Sequence, residues 1–212
     1  MSWLEWLHGF AGASTIEWIA TVAGFLSVFL LIRRSRWSFV FGFIQVSIYS
    51  WIFFDVRLYS DMGLHVIYIG FQLYGWHMWS RNQNQQGQIS PVRGNTLEYV
   101  SLAGLAIFSS GILGYVMSNY TDASFPYVDA FTTCASLIAQ WLLSHRKLFN
   151  WTVWIIVDIV AIAVYWQKGL YPTSALYFCF LIMASIGQYA WIREFRHHNT
   201  EKQTNDLHNA VG

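Results

Sequence analysis

Four stretches of this chain, residues 37–54, 62–80, 99–121 and 169–192, each run for at least 18 positions without an Asp, Glu, Lys or Arg. An α-helix needs about 20 mostly apolar residues to cross ~30 Å of hydrocarbon. Two shorter runs, 18–32 and 130–145, follow an acid (Glu17, Asp129) and end at a base (Arg33, Arg146). The stretch 148–167 is broken only by Asp158. The reading is therefore seven helices, near 15–32, 37–54, 61–79, 97–117, 126–144, 149–166 and 172–192. Strand-like alternation over ten-residue segments is absent, and a lipid-exposed backbone must satisfy its own polar groups, so all-α is the expected class.

Composition agrees. Only 11% of residues are charged, against about 25% in an average soluble domain, too few to cover a globular surface. The net charge of +1 gives no electrostatic reason to expect nucleic acid. Cys134 and Cys179 lie inside apolar runs and read as reduced, buried small hydrophobes. The N-terminus lacks a basic region and carries Glu5 and Glu17, so a cleaved signal peptide is not expected. Residues 2–10 instead suit a short helix lying flat at the interface.

Orientation follows from Lys and Arg. One set of loops and the C-terminal tail hold Arg33, Arg34, Arg36, Arg81, Arg93, Arg146, Lys147, Arg193, Arg196 and Lys202; the opposite side holds only Arg57 and Lys168. This bias puts the N-terminus outside and the C-terminus in the cytoplasm of a multi-pass protein of the inner (cell) membrane. Trp18, Trp51 and Trp166 then fall near the outer interface, and Trp37, Trp79, Trp151 and Trp191 near the inner one, where tryptophan commonly sits.

Shifting the chain by 112 residues aligns Glu17 with Asp129, Thr21 with Thr133, Ala23 with Ala135, Arg34 with Arg146, and Ile44 with Ile156. The same shift aligns Leu58-Tyr59 with Leu170-Tyr171, Gly75 with Gly187, and Trp79-x-Arg81 with Trp191-x-Arg193. Helices 1–3 thus pair with helices 5–7, leaving the fourth as a linker. This predicts a 3+1+3 parallel repeat about an axis along the membrane normal, a plan that puts binding sites near the midplane. The expected organisation is an interfacial segment (1–14), a first three-helix bundle (15–80), a polar cytoplasmic loop (81–95), a linker helix (96–118), a second bundle (119–193) and a frayed cytoplasmic tail (194–212).

Polar residues at membrane depth are the informative ones. Gln45, Gln72 and Asp158 fall near mid-depth, with Gln140 and Gln188 closer to the cytoplasmic side. A carboxylate at Asp158 must be protonated, paired or facing a wet cavity. Spacing of four groups Trp154 with Asp158, and Tyr68 with Gln72 and Trp76; Tyr177, Leu181, Ala184 and Gln188 form a further stripe. Rings flanking amides and a carboxylate suit a flat heteroaromatic or cationic ligand. The alternative for each Gln is interhelical bonding worth about 0.6 kcal/mol, and for Glu17 and Asp129 it is helix-dipole capping. Trp76 and Trp154 also suit an interface. No phosphate loop, zincin motif, nucleophile elbow or Cys/His zinc spacing occurs, so neither an enzyme nor a metal site is expected. His77 with His145 is the closest approach to a metal pair.

The runs Leu58-Tyr59, Gly63-Leu64-His65-Val66 and Tyr74-Gly75-Trp76-His77-Met78-Trp79 resemble the third-helix signature of the PnuC family. So do Phe125-Pro126-Tyr127-Val128-Asp129, Arg146-Lys147, Asn150-Trp151, Trp154, Asp158 and Gly169-Leu170-Tyr171, and the resemblance spans about 17–191. It implies the fold shared with SWEET sugar transporters and uptake of nicotinamide riboside by facilitated diffusion, without a cofactor. It further implies trapping by a cytoplasmic nicotinamide riboside kinase, and a homo-oligomer, a trimer. The pyridine ring would lie between Trp154 and Tyr68, with Gln45, Gln72 and Asp158 on the carboxamide and ribose. Trp76 would extend that aromatic wall, and Gln188 would sit at the inner gate. At Asp158 related sequences are expected to carry Asn: an amide would read the carboxamide, whereas a carboxylate pairs with the pyridinium. Thiamine or riboflavin is the alternative cargo; a membrane-embedded redox subunit or enzyme is the alternative from another class, and a binding-only receptor a third.

Overall fold

The computed structural model describes residues 15–55, 57, 59–83, 89–121 and 123–211, without the side chains of 59, 60 and 201–211. The interfacial helix expected over residues 2–10 lies outside the described residues. Seven helices account for the described chain: α1 (Thr15–Ile32), α2 (Ser38–Asp55), α3 (Tyr59–Ser80), α4 (Thr96–Tyr120), α5 (Pro126–Ser144), α6 (Asn150–Gln167) and α7 (Tyr171–Val211). Five of them, α1, α2, α4, α6 and α7, are long and apolar enough to cross a membrane. The other two, of 22 and 19 residues, have the length but a more polar composition. α3 carries His65, Gln72 and His77, and α5 carries Thr132, Thr133, Ser136 and Gln140.

Local chemistry sets the ends. Asn95 caps α4 by accepting from Leu97 N at 3.2 Å, and Glu98 accepts from Asn95 N at 3.3 Å, a reciprocal capping box. Pro126 opens α5, where its missing N–H costs nothing. α1 and α5 close alike: Ser35 N donates to Leu30 O at 3.0 Å and Lys147 N to Leu142 O at 2.9 Å. In both turns an arginine takes the left-handed conformation, Arg34 and Arg146 each at φ 59°. Glycine usually fills such a position, since a side chain there costs roughly 1–2 kcal/mol. Arg34 also pairs with Glu194 at 2.5 Å, tying the end of α1 to α7.

α1 packs on α2 and α7, α2 on α3, α3 on α5, α5 on α4 and α6, and α6 on α7. Among the described helices α4 packs on α5 alone. At the Arg-rich end the bundle is closed by a core of Leu31, Phe39, Trp79, Ile89, Leu143, Trp151, Ala184 and Trp191. Two bonds cross it at the same 112-residue spacing: Trp79 Nε1 donates to Leu143 O at 3.2 Å and Trp191 Nε1 to Leu31 O at 3.1 Å. Gly75 leaves room for the Phe39 ring and Gly187 for the Trp151 ring; a Cβ on Gly187 would lie 2.6 Å from Trp151 Cζ2.

Four sequence expectations change here. Trp79, Trp151 and Trp191, expected at the inner interface, are fully buried between helices at the Arg-rich end, with Gly187 leaving the space for the Trp151 ring. Cys134 is buried but Cys179 is exposed, on the outward face of α7 that also carries Phe178 and Ile182. The loop before α4 is not merely polar: Ile89 is completely buried, with its N–H on Arg34 O at 3.3 Å, and Val92 N donates to Arg146 O at 2.9 Å. The tail does not fray after His197; α7 continues to Val211, with no Gly or Pro after Gly187 to interrupt it.

Candidate functional site

Above the tryptophan core lies a cavity of about 280 Å³ lined by every helix except α4. That is near the lower limit of about 300 Å³ for small-molecule pockets. Each wall follows from helical spacing. On α6, Trp151, Trp154 and Asp158 recur every three or four positions and face inward together; on α3, Tyr68 and Gln72 do the same. α5 adds Ser136 and Gln140, and α7 adds Tyr177, Phe180 and Ala184. Ser27, Val28 and Leu31 of α1, with Ser38, Phe39, Gln45 and Val46 of α2, complete the lining.

Two glycines position the amides. A Cβ on Gly24 would lie 2.6 Å from Gln45 Nε2, and one on Gly42 would lie 2.7 Å from Gln72 Oε1. Both contacts are too short to hold, so a larger residue must push the amide aside. Gly42→Ala should displace Gln72 and weaken binding of a guest in the cavity several-fold, with little change in Tm. Ligand titration beside a melting curve checks this; an unaltered affinity would mean that Gln72 does not touch the guest.

Asp158 is the one acid among the lining residues, and no Lys, Arg or His joins it. It is 3% exposed, and among the described residues no hydrogen bond or ion pair reaches its carboxylate. Ser38 Oγ and Trp151 Nε1, on two other lining residues, are also buried without a partner among the described residues. Buried polar atoms normally find partners, and orphans that converge on a cavity mark a place for polar contacts with a guest.

Of the residues singled out from the sequence, the structure brings together Gln45, Tyr68, Gln72, Trp154 and Asp158. Trp76 and Gln188 do not line the cavity. Trp76 meets Trp37 edge-on at 5.4 Å and lies 5.1 Å from the Arg36 guanidinium, while Gln188 Nε2 donates to Thr152 Oγ1 at 3.0 Å. Both stand one turn beyond the cavity, toward the Arg-rich end. Sequence reasoning leaves Ser136, Gln140, Trp151, Tyr177 and Phe180 out of the site. The 112-residue shift holds a signal for some of them, since it pairs Tyr68 with Phe180 and Phe39 with Trp151.

The histidines do not assemble. His145 Nδ1 lies 2.9 Å from Trp141 O and its Nε2 3.1 Å from Tyr74 Oη, so neither ring nitrogen is turned to His77. Asp129, at the start of α5, sits 3.4 Å from Lys168 rather than in the cavity. Among the described residues no group of three His, Cys, Asp or Glu could hold a metal ion. What the cavity offers is recognition: stacking faces, amides and hydroxyls, and one carboxyl group without a basic neighbour in the lining.

Comparison with known proteins fits a binding cavity inside a helical membrane bundle. The chain is similar to the nicotinamide riboside transporter PnuC of Escherichia coli, 25% identical over 208 residues covering 86% of this chain and 87% of that protein. It is 24% identical to the protein of the same name from Neisseria mucosa, over 92% of this chain and 82% of the relative. The crystal structure of the vitamin B3 transporter PnuC shares the fold, with a TM-score of 0.72 at 21% identity over 91% of this chain and 86% of that one. The family model described as nicotinamide mononucleotide transporter matches residues 14–193. The chain belongs to the nicotinamide mononucleotide transporter family.

Proposed function

We propose that this protein carries nicotinamide riboside into the cell through the cavity between its helices. The observation that carries the reading is the lining itself. Trp154, Tyr68, Trp151 and Tyr177 offer faces to a pyridine ring, Gln45 and Gln72 offer amides, and Asp158 offers a carboxylate. The relatives named as nicotinamide riboside transporters support the same cargo. The absence of any basic residue from the lining favours the riboside over the mononucleotide, whose phosphate would face Asp158 with no cation to hold it.

In this reading all seven helices cross the membrane as a 3+1+3 parallel repeat, the bundles 15–80 and 119–193 joined by the linker helix 96–118. Two features support it. Exchanging α1–α3 with α5–α7 maps each packing pair among these six helices onto another, so that α1 with α7 becomes α5 with α3. The Trp79 and Trp191 bonds obey the same exchange. Carriers of this plan work by rocking one repeat against the other around a midplane site. The Lys and Arg bias supports an external N-terminus and a cytoplasmic C-terminus in the inner membrane. Uptake is downhill, with alternating access, and a cytoplasmic kinase traps the riboside as its phosphate. The carrier catalyses no reaction itself and assembles as a homotrimer, both following from the family resemblance.

Competition with labelled nicotinamide riboside tests the cargo. Unlabelled riboside should displace it at micromolar concentration, whereas the mononucleotide, thiamine and riboflavin should not. Displacement by thiamine at the riboside's own concentration would reassign the cavity, because thiamine is also a flat cation.

A further inference from the structure

A second cavity, of about 470 Å³, opens at the Arg-rich end between the end of α1 and the middle of α7. Its charged lining is Arg33, Arg34, Arg193, Glu194 and His197. Three guanidiniums against one carboxylate give it an excess of positive charge. That carboxylate is already engaged, since Glu194 pairs with Arg34 at 2.5 Å. Arg33 and Arg193 are both exposed and have no carboxylate partner among the described residues. Other bases at this end are held elsewhere: Lys147 Nζ lies 2.7 Å from Glu98, and the Arg36 guanidinium 5.1 Å from the Trp76 ring.

The same two arginines end two apolar stripes. On α1, Val22, Leu26 and Phe29 are exposed, and the next step of four reaches Arg33. On α7, Ile182, Ile186 and Tyr189 are exposed at the same spacing, and the next step of four reaches Arg193. Steps of four, three and four keep to one helix face. In a membrane bundle such stripes face hydrocarbon, and Tyr189, which also lines the cavity, marks the border where tyrosine commonly sits. A guest that matches both features carries an anionic group for the guanidiniums and apolar chains for the stripes. A phosphodiester suits the first, because a guanidinium can donate to two phosphate oxygens at once.

We propose that the cleft between α1 and α7 binds the headgroup of an anionic phospholipid, with its acyl chains along the two stripes. Basic pockets between membrane helices on the cytoplasmic side take such headgroups, and the Lys and Arg bias puts this end on that side. The other half of the chain lacks the first of the two arginines. The 112-residue shift puts His145 at the register of Arg33, and that ring lies 2.9 Å from Trp141 O and 3.1 Å from Tyr74 Oη. Because α1 opens the first bundle and α7 closes the second, a bound headgroup ties the two together at this end. The proposal rests on the membrane-spanning helices and is independent of the cargo in the central cavity.

Delipidated full-length protein in detergent, titrated with phosphatidylglycerol and followed by native mass spectrometry, tests it. Phosphatidylglycerol should bind about ten-fold more tightly than phosphatidylcholine, whose headgroup has no net charge. Arg33→Gln and Arg193→Gln should each weaken phosphatidylglycerol about five-fold. Arg196→Gln removes an equal charge from outside the lining and should change little. Either lining variant decides alone if the other fails to fold. Equal affinity for the two lipids would overturn the site. So would an equal loss from Arg196→Gln, since diffuse attraction to the basic end would then account for the binding. Inorganic phosphate at millimolar concentration should not displace the lipid. Displacement would assign the cleft to a soluble phosphate and remove the lipid from it.

Discussion

Asp158→Ala should weaken nicotinamide riboside binding by about 30- to 150-fold while making the ligand-free protein more stable. The loss follows from removing a charge-assisted partner in a buried site, worth about 2–3 kcal/mol. The stabilisation follows from the same burial. Asp158 is 3% exposed and has no protein partner among the described residues, so its deletion relieves a desolvation penalty that only cargo or a proton otherwise offsets. A residue kept for architecture moves both quantities down together; one kept for cargo moves them apart. Isothermal titration beside thermal melting in detergent reads both. A melting temperature that falls in step with affinity would assign Asp158 to the scaffold.

The second large effect belongs to the tryptophan core. Trp191→Ala should cost about 3–5 kcal/mol, by analogy with other large-to-small core substitutions. The ring is fully buried, meets Trp151 edge-on at 5.6 Å and Trp79 at 5.9 Å, and its Nε1 bonds Leu31 O across the interface between α1 and α7. Between membrane helices such close packing does the work that the hydrophobic effect does in water. Trp191→Phe keeps most of the ring and loses only the donor, so about 1 kcal/mol is expected. The same ordering should hold for Trp79, whose Nε1 bonds Leu143 O. Chemical denaturation of the four variants checks it. Equal losses for Phe and Ala would mean that the crossing hydrogen bond, not the packing, holds this end of the bundle.

Much of the helical frame is legible in the sequence, because charges mark where apolar runs stop. Arg33 and Arg146 follow the ends of α1 and α5, and Asp158 is the one acid inside a run; the expected span 126–144 coincides with α5. Grouping is legible too: Gln45, Gln72 and Asp158, the polar residues set deepest in their runs, share one cavity. Facing is harder. In water a helix declares its buried side by an apolar stripe, whereas in lipid the outer side is equally apolar, and packing decides which rings turn inward. Trp151 and Phe39 therefore look interfacial or unremarkable in the sequence, and it is the space at Gly187 and Gly75 that admits them to the core. Trp76 and Gln188 fail in the opposite way. Spacing of four carries each stripe one turn past the cavity, into Trp37 and Thr152. The buried Ile89 strap is hidden by its Gln- and Asn-rich setting, since a single apolar residue among polar ones carries no period.

Titration of the purified protein with nicotinamide riboside, followed by intrinsic tryptophan fluorescence, asks whether this cavity holds the cargo. Trp151 and Trp154 line the cavity, so a cationic ring stacked there should quench their emission. The expected result is saturable micromolar quenching that survives excess mononucleotide and disappears in Asp158→Ala. A folded protein whose fluorescence never saturates, or whose quenching is unchanged in that variant, would contradict the assignment of the cargo to this cavity.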